Sequence, residues 1–177
     1  MNILAFGASN SLNSINQSFA EYVASQFNSA HVDVLRLYDY DLPLYSPERE
    51  KLGFPALVGQ FMEHVAQADL IVLSLAEHNG SYTAAFKNLF DWCSRYKQKT
   101  FEDKSFFLLA TSPGGRGGQG VLQAALDRFP RHDAKVLDSF SLPNFGDNFS
   151  PEQGILDPSL RASLEEKIQR VNALVAS

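Results

Sequence analysis

The feature that most limits the fold is an alternation. Five short apolar runs, Ile3–Phe6, Val32–Leu37, Leu70–Leu75, Phe106–Ala110 and Val136–Phe140, are separated by stretches with helical spacing. The runs are apolar nearly throughout, as in strands covered on both faces. Helical spacing is carried by Ile15, Phe19, Tyr22, Val23 and Phe27, then by Leu57, Val58, Phe61, Met62 and Val65. A third group is Ala85, Phe86, Leu89, Phe90, Trp92 and Cys93, a fourth runs from Val121 to Phe129, and a fifth holds Leu160, Leu164, Ile168, Val171 and Val175. A chain that reads βαβαβαβαβα builds a parallel sheet, because parallel neighbours are joined by crossovers, and these are right-handed. The pattern predicts an α/β/α sandwich around a five-stranded parallel sheet of order 2-1-3-4-5. A six-stranded Rossmann domain is the alternative, but no sixth apolar run is found.

The length, 177 residues, suits one domain spanning 1–177. With 45% hydrophobic and 20% charged residues, the chain can bury a core without cross-links. The net charge of -5 and the lack of any Lys/Arg block argue against nucleic acid as a partner. Cys93 is the only cysteine, so no internal disulfide forms and a reducing compartment is expected. The N-terminal MNILAFGASN has no basic lead and too short an apolar run for a signal peptide or a membrane span. The expectation is a cytoplasmic protein with no membrane partner. The four His residues show no metal-ligand spacing, so no metal is expected.

In an open α/β sheet, ligands bind outside the carboxyl ends of the strands. Three loops there have unusual composition. Gly7 to Asn16 follows the first run and is dense in Ser and Asn, with no Lys or Arg. Its hydroxyls and the amides of a helix N-terminus suit an anion, while the same residues also suit a plain N-cap cluster. Neither a Walker motif nor a dinucleotide fingerprint occurs here, which favours a mononucleotide phosphate. Ala76 to Tyr82 follows the third run and contains the turn signal Asn79-Gly80. It reads either as a backbone edge for a planar heterocycle or as a connecting turn. Ser112 to Gly120 follows the fourth run and holds Gly114, Gly115, Gly117, Gly118 and Gly120. Glycine allows close approach to a ligand, and a flexible surface loop is the competing reading. Gly115, Gly117 and Gly120 spell GxGxxG, but late in the chain, where the dinucleotide motif is not expected.

At these loops the sequence resembles the NADPH-dependent FMN reductase family of the flavodoxin-like superfamily. Ser9 to Asn16 resembles the family's phosphate loop, G-S-x-R-x-x-S-x-N. Glu77-His78-Asn79-Gly80-Ser81, followed by Lys87-Asn88-Leu89-Phe90-Asp91-Trp92, resembles its P-E-Y-N-G-S…L-K-N-x-x-D-W segment. Ser112-Pro113-Gly114-Gly115 with Gly117-Gly118 resembles its glycine loop. The likeness covers residues 1 to about 140 and implies a flavodoxin-like three-layer α/β/α sandwich. It also implies FMN as cofactor and NADPH or NADH as electron donor. Ser9, Ser11, Asn13, Ser14, Ile15 and Asn16 would hold the phosphate. Ala76, Glu77, His78, Asn79, Gly80 and Ser81 would run along the isoalloxazine, and Ser112, Pro113, Gly114 and Gly115 would close its other side. Ser11 stands where the family often has Arg, Ala76 where it has Pro, and His78 where it has Tyr.

The reaction implied is hydride transfer from a nicotinamide to FMN and on to a flavin, quinone or similar small-molecule acceptor. No catalytic side chain is required, since the cofactor carries the chemistry and the protein positions two rings. A flavodoxin-like electron carrier without nicotinamide activity is the alternative. His78 either faces the flavin or is solvated; Arg116 either meets an NADPH phosphate or is solvated. Tyr45 either borders the pocket or packs. By resemblance, the helix after the second loop would help form a homodimer or homotetramer.

Overall fold

The computed structural model describes residues 1–28 and 30–176. In chain order, β1 (Asn2–Gly7) leads to α1 (Ile15–Ser25) and β2 (His31–Val34). A 3-10 turn at Leu37–Asp39 and a short α2 (Pro47–Glu50) precede α3 (Ala56–Gln67) and β3 (Leu70–Leu75). A small hairpin, β4 (Glu77–His78) and β5 (Ser81–Tyr82), precedes α4 (Ala84–Tyr96) and β6 (Ser105–Thr111). Then come α5 (Gln119–Arg128), β7 (Lys135–Leu142), α6 (Phe145–Asn148), β8 (Phe149–Ser150), β9 (Gly154–Ile155) and α7 (Pro158–Val175).

Five strands form one sheet in the order β2-β1-β3-β6-β7, and every pairing in it is parallel. Counted as main strands, this is the 2-1-3-4-5 order expected from the alternation. The pleat sorts β1 cleanly. Leu4 and Phe6 enter the core under α3, α4 and α5, while Ile3 and Ala5 enter the core under α1 and α7. Both cores are aliphatic and aromatic, and each fully buried Leu or Phe contributes about 1.5–3 kcal/mol relative to exposure. Phe90, Phe101, Phe106 and Phe129 pack ring against ring, with centroids 4.9 to 5.6 Å apart. Cys93 lies in this core, where burial pushes its thiol pKa up.

Two elements differ from the sequence expectation. The second apolar run is strand only to Val34: Leu35 still donates its N–H to Ala5 O, and the chain then turns into the 3-10 segment Leu37–Asp39. Leu35 and Leu37 stay buried, so the apolar pattern outlasts the strand. The connections 39–55 and 142–158, which lie between the apolar runs and the helical stretches, also carry structure: α2 sits in the first, and α6 with the β8–β9 pair sits in the second.

Candidate functional site

The loops after β1, β3 and β6 meet at the carboxyl edge of the sheet. The first is set by a close approach at Gly7. A Cβ there would lie 2.4 Å from the N of Gln17 and 2.7 Å from the carbonyl carbon of Asn16. Only glycine lets the first turn of α1 come this near the strand end. Gly7 N–H donates to Gln17 Oε1 at 2.8 Å, and Gln17 Nε2 donates to Leu35 O and Glu21. Ser14 is the N-cap of α1, its hydroxyl accepting from Gln17 N–H at 3.2 Å. Ser9 Oγ accepts from Ser11 N–H at 3.2 Å. The N–H groups of Asn10, Leu12, Asn13, Ile15 and Asn16 have no acceptor among the described residues. These amides and the Ser9, Ser11 and Ser14 hydroxyls are donors in search of an anion, at the positive end of a helix.

Asn16 is divided between two tasks. Its side chain is buried and points inward: Oδ1 accepts from Ser74 Oγ at 2.8 Å and Thr111 N–H at 3.2 Å, and Nδ2 donates to Thr111 O at 3.2 Å. One amide thereby fastens α1 to the ends of β3 and β6. Its backbone N–H has no acceptor among the described residues.

The second loop is a hairpin. Glu77 pairs with Tyr82 and His78 with Ser81. Asn79 (φ 52°) and Gly80 (φ 78°) form its two-residue turn, where two positive φ values match the favoured hairpin geometry. His78, Asn79, Gly80 and Ser81 are exposed, and Ala76 is buried at the base. Glu77 turns its carboxylate onto the third loop: Oε2 accepts from Gly120 N–H at 3.1 Å and Val121 N–H at 3.3 Å. Thr83, buried just past the hairpin, donates to Ala8 O at 2.8 Å and caps α4 at Phe86 N–H.

In the third loop, Pro113, Gly114, Gly115 and Arg116 are exposed and Ser112 is half-buried. Gly114 O accepts from Gly117 and Asn144 N–H, and Ser112 O accepts from Phe145 N–H. Ser112 Oγ donates to Gly114 O at 3.2 Å. Gly117 has φ 57°, and a Cβ there would lie 2.4 Å from Ser141 Oγ. The N–H groups of Gly115 and Arg116 have no acceptor among the described residues.

All three loops are therefore tied: the first to the second by Thr83, the second to the third by Glu77, and the first to β3 and β6 by Asn16. Ser74, Thr83 and Thr111 carry these links and are not singled out by the sequence. Each is a small hydroxyl residue in or beside an apolar run, and nothing in the local sequence marks it out. Tyr82 also escapes it. Its hydroxyl is buried with no partner among the described residues, and burial pushes its pKa up to about 12. Tyr45 packs: its hydroxyl donates to Glu50 at 2.7 Å and its ring meets Trp92 edge-on at 5.3 Å. Arg116 and His78 are exposed. Lys87 pairs with Asp91 at 2.7 Å on the outer side of α4.

The donor set fits a phosphate monoester with a flat, uncharged ring system beside it. Hydroxyls and amides converge at α1, and exposed backbone flanks the site on the other two loops. Among the described residues, no group of three His, Cys, Asp or Glu side chains is placed to hold a metal. No helix among them is long and apolar enough to cross a membrane.

A family model described as NADPH-dependent FMN reductase matches residues 1–147. The chain is 30% identical over 141 residues to an NAD(P)H-dependent FMN reductase of Pseudomonas aeruginosa, spanning 76% of this chain and 74% of that protein. It is 34% identical over 139 residues to an NADPH:quinone oxidoreductase of Arabidopsis thaliana, spanning 75% and 69%. A flavoenzyme NAD(P)H:(acceptor) oxidoreductase of Paracoccus denitrificans superposes with TM-score 0.77 at 18% identity, over 99% of this chain and 97% of that one, a likeness of fold. With its flavodoxin-like sheet and a family match over most of its length, the chain belongs to the NADPH-dependent FMN reductase family.

Proposed function

We propose that the chain is an FMN-dependent oxidoreductase that takes a hydride from NADPH or NADH and delivers electrons to a flavin, a quinone or a similar small acceptor. The observation that carries this reading is the set of unpaired donors between Ser9 and Asn16, framed by two loops with exposed backbone. Ser9, Ser11 and Ser14 hydroxyls and the amides of Asn13, Ile15 and Asn16 hold the phosphate. The hairpin from Ala76 to Ser81 and the segment from Ser112 to Gly115 border the ring. FMN, when bound, supplies the hydride acceptor and the electron relay. The protein's part is to fix the ring, exclude water from one side and direct backbone N–H dipoles toward developing negative charge. No side chain in the three loops is needed as acid or base.

The reading extends to one FMN-binding domain over 1–177, a cytoplasmic home and a homodimer or homotetramer. The apolar side chains of α4 do not themselves supply the oligomer contact, because Phe86, Leu89, Phe90 and Trp92 are buried within the chain. Exposed apolar side chains elsewhere support it better: Leu44, Leu52, Phe54 and Tyr96 are exposed, and the Phe54 and Tyr96 ring centroids lie 5.4 Å apart. Steady-state oxidation of NADPH and NADH, with a quinone or free flavin as acceptor and with FMN added or withheld, tests the activity. FMN-dependent turnover with either nicotinamide is expected; no turnover with any acceptor would refute it. Light scattering of wild type and Leu52→Glu tests the oligomer, and a shift toward monomer is expected in the variant.

A further inference from the structure

The first loop raises a question of charge. A phosphate monoester carries about -1.5 to -2 at neutral pH, yet no cation lies between Ser9 and Asn16. Hydroxyls and amides satisfy its oxygens without balancing that charge. A positive charge that shares a cavity with the loop stands on another element. β2 ends at Val34, and Leu35 is held from both sides: its N–H donates to Ala5 O, and its O accepts from Gln17 Nε2 at 3.1 Å. These two bonds bring the next residue, Arg36, to the carboxyl edge beside the first loop. There Ser9, Ser11, Gln17, Arg36, Tyr38 and Asp39 wall one cavity of about 280 Å³.

Two side chains in this cavity bear on an anion. Gln17 is already engaged by Gly7, Glu21 and Leu35. Arg36 is exposed, and its guanidinium makes no hydrogen bond or ion pair with any described residue, although its fork of donors matches a phosphate face. Asp39 sits in the same cavity with the opposite charge and works against it. The pair makes the site's response to charge substitution a signed one.

We propose that Arg36 supplies, from the end of β2, the phosphate-binding cation that the first loop lacks, so that the chain distinguishes FMN from flavins without a phosphate. This rests on the FMN reading of the site. Arg36 is a binding and selectivity residue, not a catalytic one. An exposed, unpartnered side chain is also one whose removal leaves the fold intact, which keeps the test clean.

The test is a fluorescence titration of the flavin-free full chain with FMN and with riboflavin, at low and high salt, for wild type, Arg36→Gln, Arg36→Lys and Asp39→Asn. Thermal unfolding of each variant checks that the fold is unchanged. Arg36→Gln is expected to raise the Kd for FMN about tenfold and to leave that for riboflavin within about twofold. The salt dependence of FMN binding should shrink in the same variant. Arg36→Lys should recover part of the loss, and Asp39→Asn should tighten FMN. Equal FMN affinity in wild type and Arg36→Gln overturns the proposal while leaving the FMN reading intact. Equal weakening of FMN and riboflavin also overturns it, since packing rather than charge would then be at work. Failure of the wild type to bind FMN at all overturns both.

Discussion

Glu77 caps the helix that begins beside Gly120. Its Oε2 accepts the N–H of Gly120 at 3.1 Å and of Val121 at 3.3 Å, linking the hairpin after β3 to the start of α5, 43 residues later. A carboxylate at a helix N-terminus satisfies two orphan donors and meets the favourable end of the dipole. Removing it with Glu77→Ala should cost about 1–2 kcal/mol, typical of losing a helix cap. The check is a urea unfolding curve in which the midpoint falls while the slope is unchanged.

The same contact predicts a non-additive pair. A Cβ on Gly120 would lie 2.9 Å from Glu77 Oε1, so Gly120→Ala must displace the carboxylate from its place. In the wild-type background the substitution should be destabilising. In the Glu77→Ala background it should be stabilising by about 0.5–1 kcal/mol, since alanine favours the helix over glycine and nothing obstructs it. A double-mutant cycle with no coupling would contradict the contact.

Asn16 is the second joint. Asn16→Leu removes its hydrogen bonds to Ser74 and Thr111 and leaves the Thr111 N–H buried without a partner. The expected loss is about 2–4 kcal/mol, from unsatisfied buried groups at about 1–3 kcal/mol each. Denaturant unfolding measures it. The backbone N–H at position 16 survives the substitution, so retention of some FMN binding is expected in whatever fraction remains folded.

His132 makes stability depend on pH. Its Nδ1 lies 3.2 Å from Thr100 Oγ1 and 3.2 Å from Gln98 O, and its ring packs on Phe90 with centroids 4.8 Å apart. Burial lowers its pKa, outweighing the hydrogen bond to Gln98, so the folded state disfavours the charged form. The unfolded chain then takes up the proton first. The contribution of His132 is complete above the ordinary histidine value of about 6.5 and is lost as pH falls below it. His132→Gln should be less sensitive than wild type between neutral pH and mildly acid pH. Parallel pH slopes for the two proteins would rule this out.

The sheet was legible because its signal is local and repeated. The run Leu70–Leu75 is a strand from end to end, and Phe19 and Val23 sit on one buried face of α1. The end of β2 was not, since Leu35 and Leu37 are buried whether the backbone is extended or turned. Asn79-Gly80 announced a turn, but two residues on each side are too few to show the alternation of a hairpin. The three loops were visible by their Ser, Asn and Gly content. What joins them was not: the Glu77 and Asn16 bonds reach 43 to 95 residues along the chain, and nothing local distinguishes a capping glutamate from a solvated one.

The central claim is tested most directly by one spectrum. The full chain is reconstituted with FMN, freed of oxygen, and mixed with NADPH and then NADH while the flavin absorption is followed. The account predicts that the yellow absorption bleaches with at least one nicotinamide and returns when a quinone is added. A protein that binds FMN tightly but leaves it oxidised by both nicotinamides would contradict it.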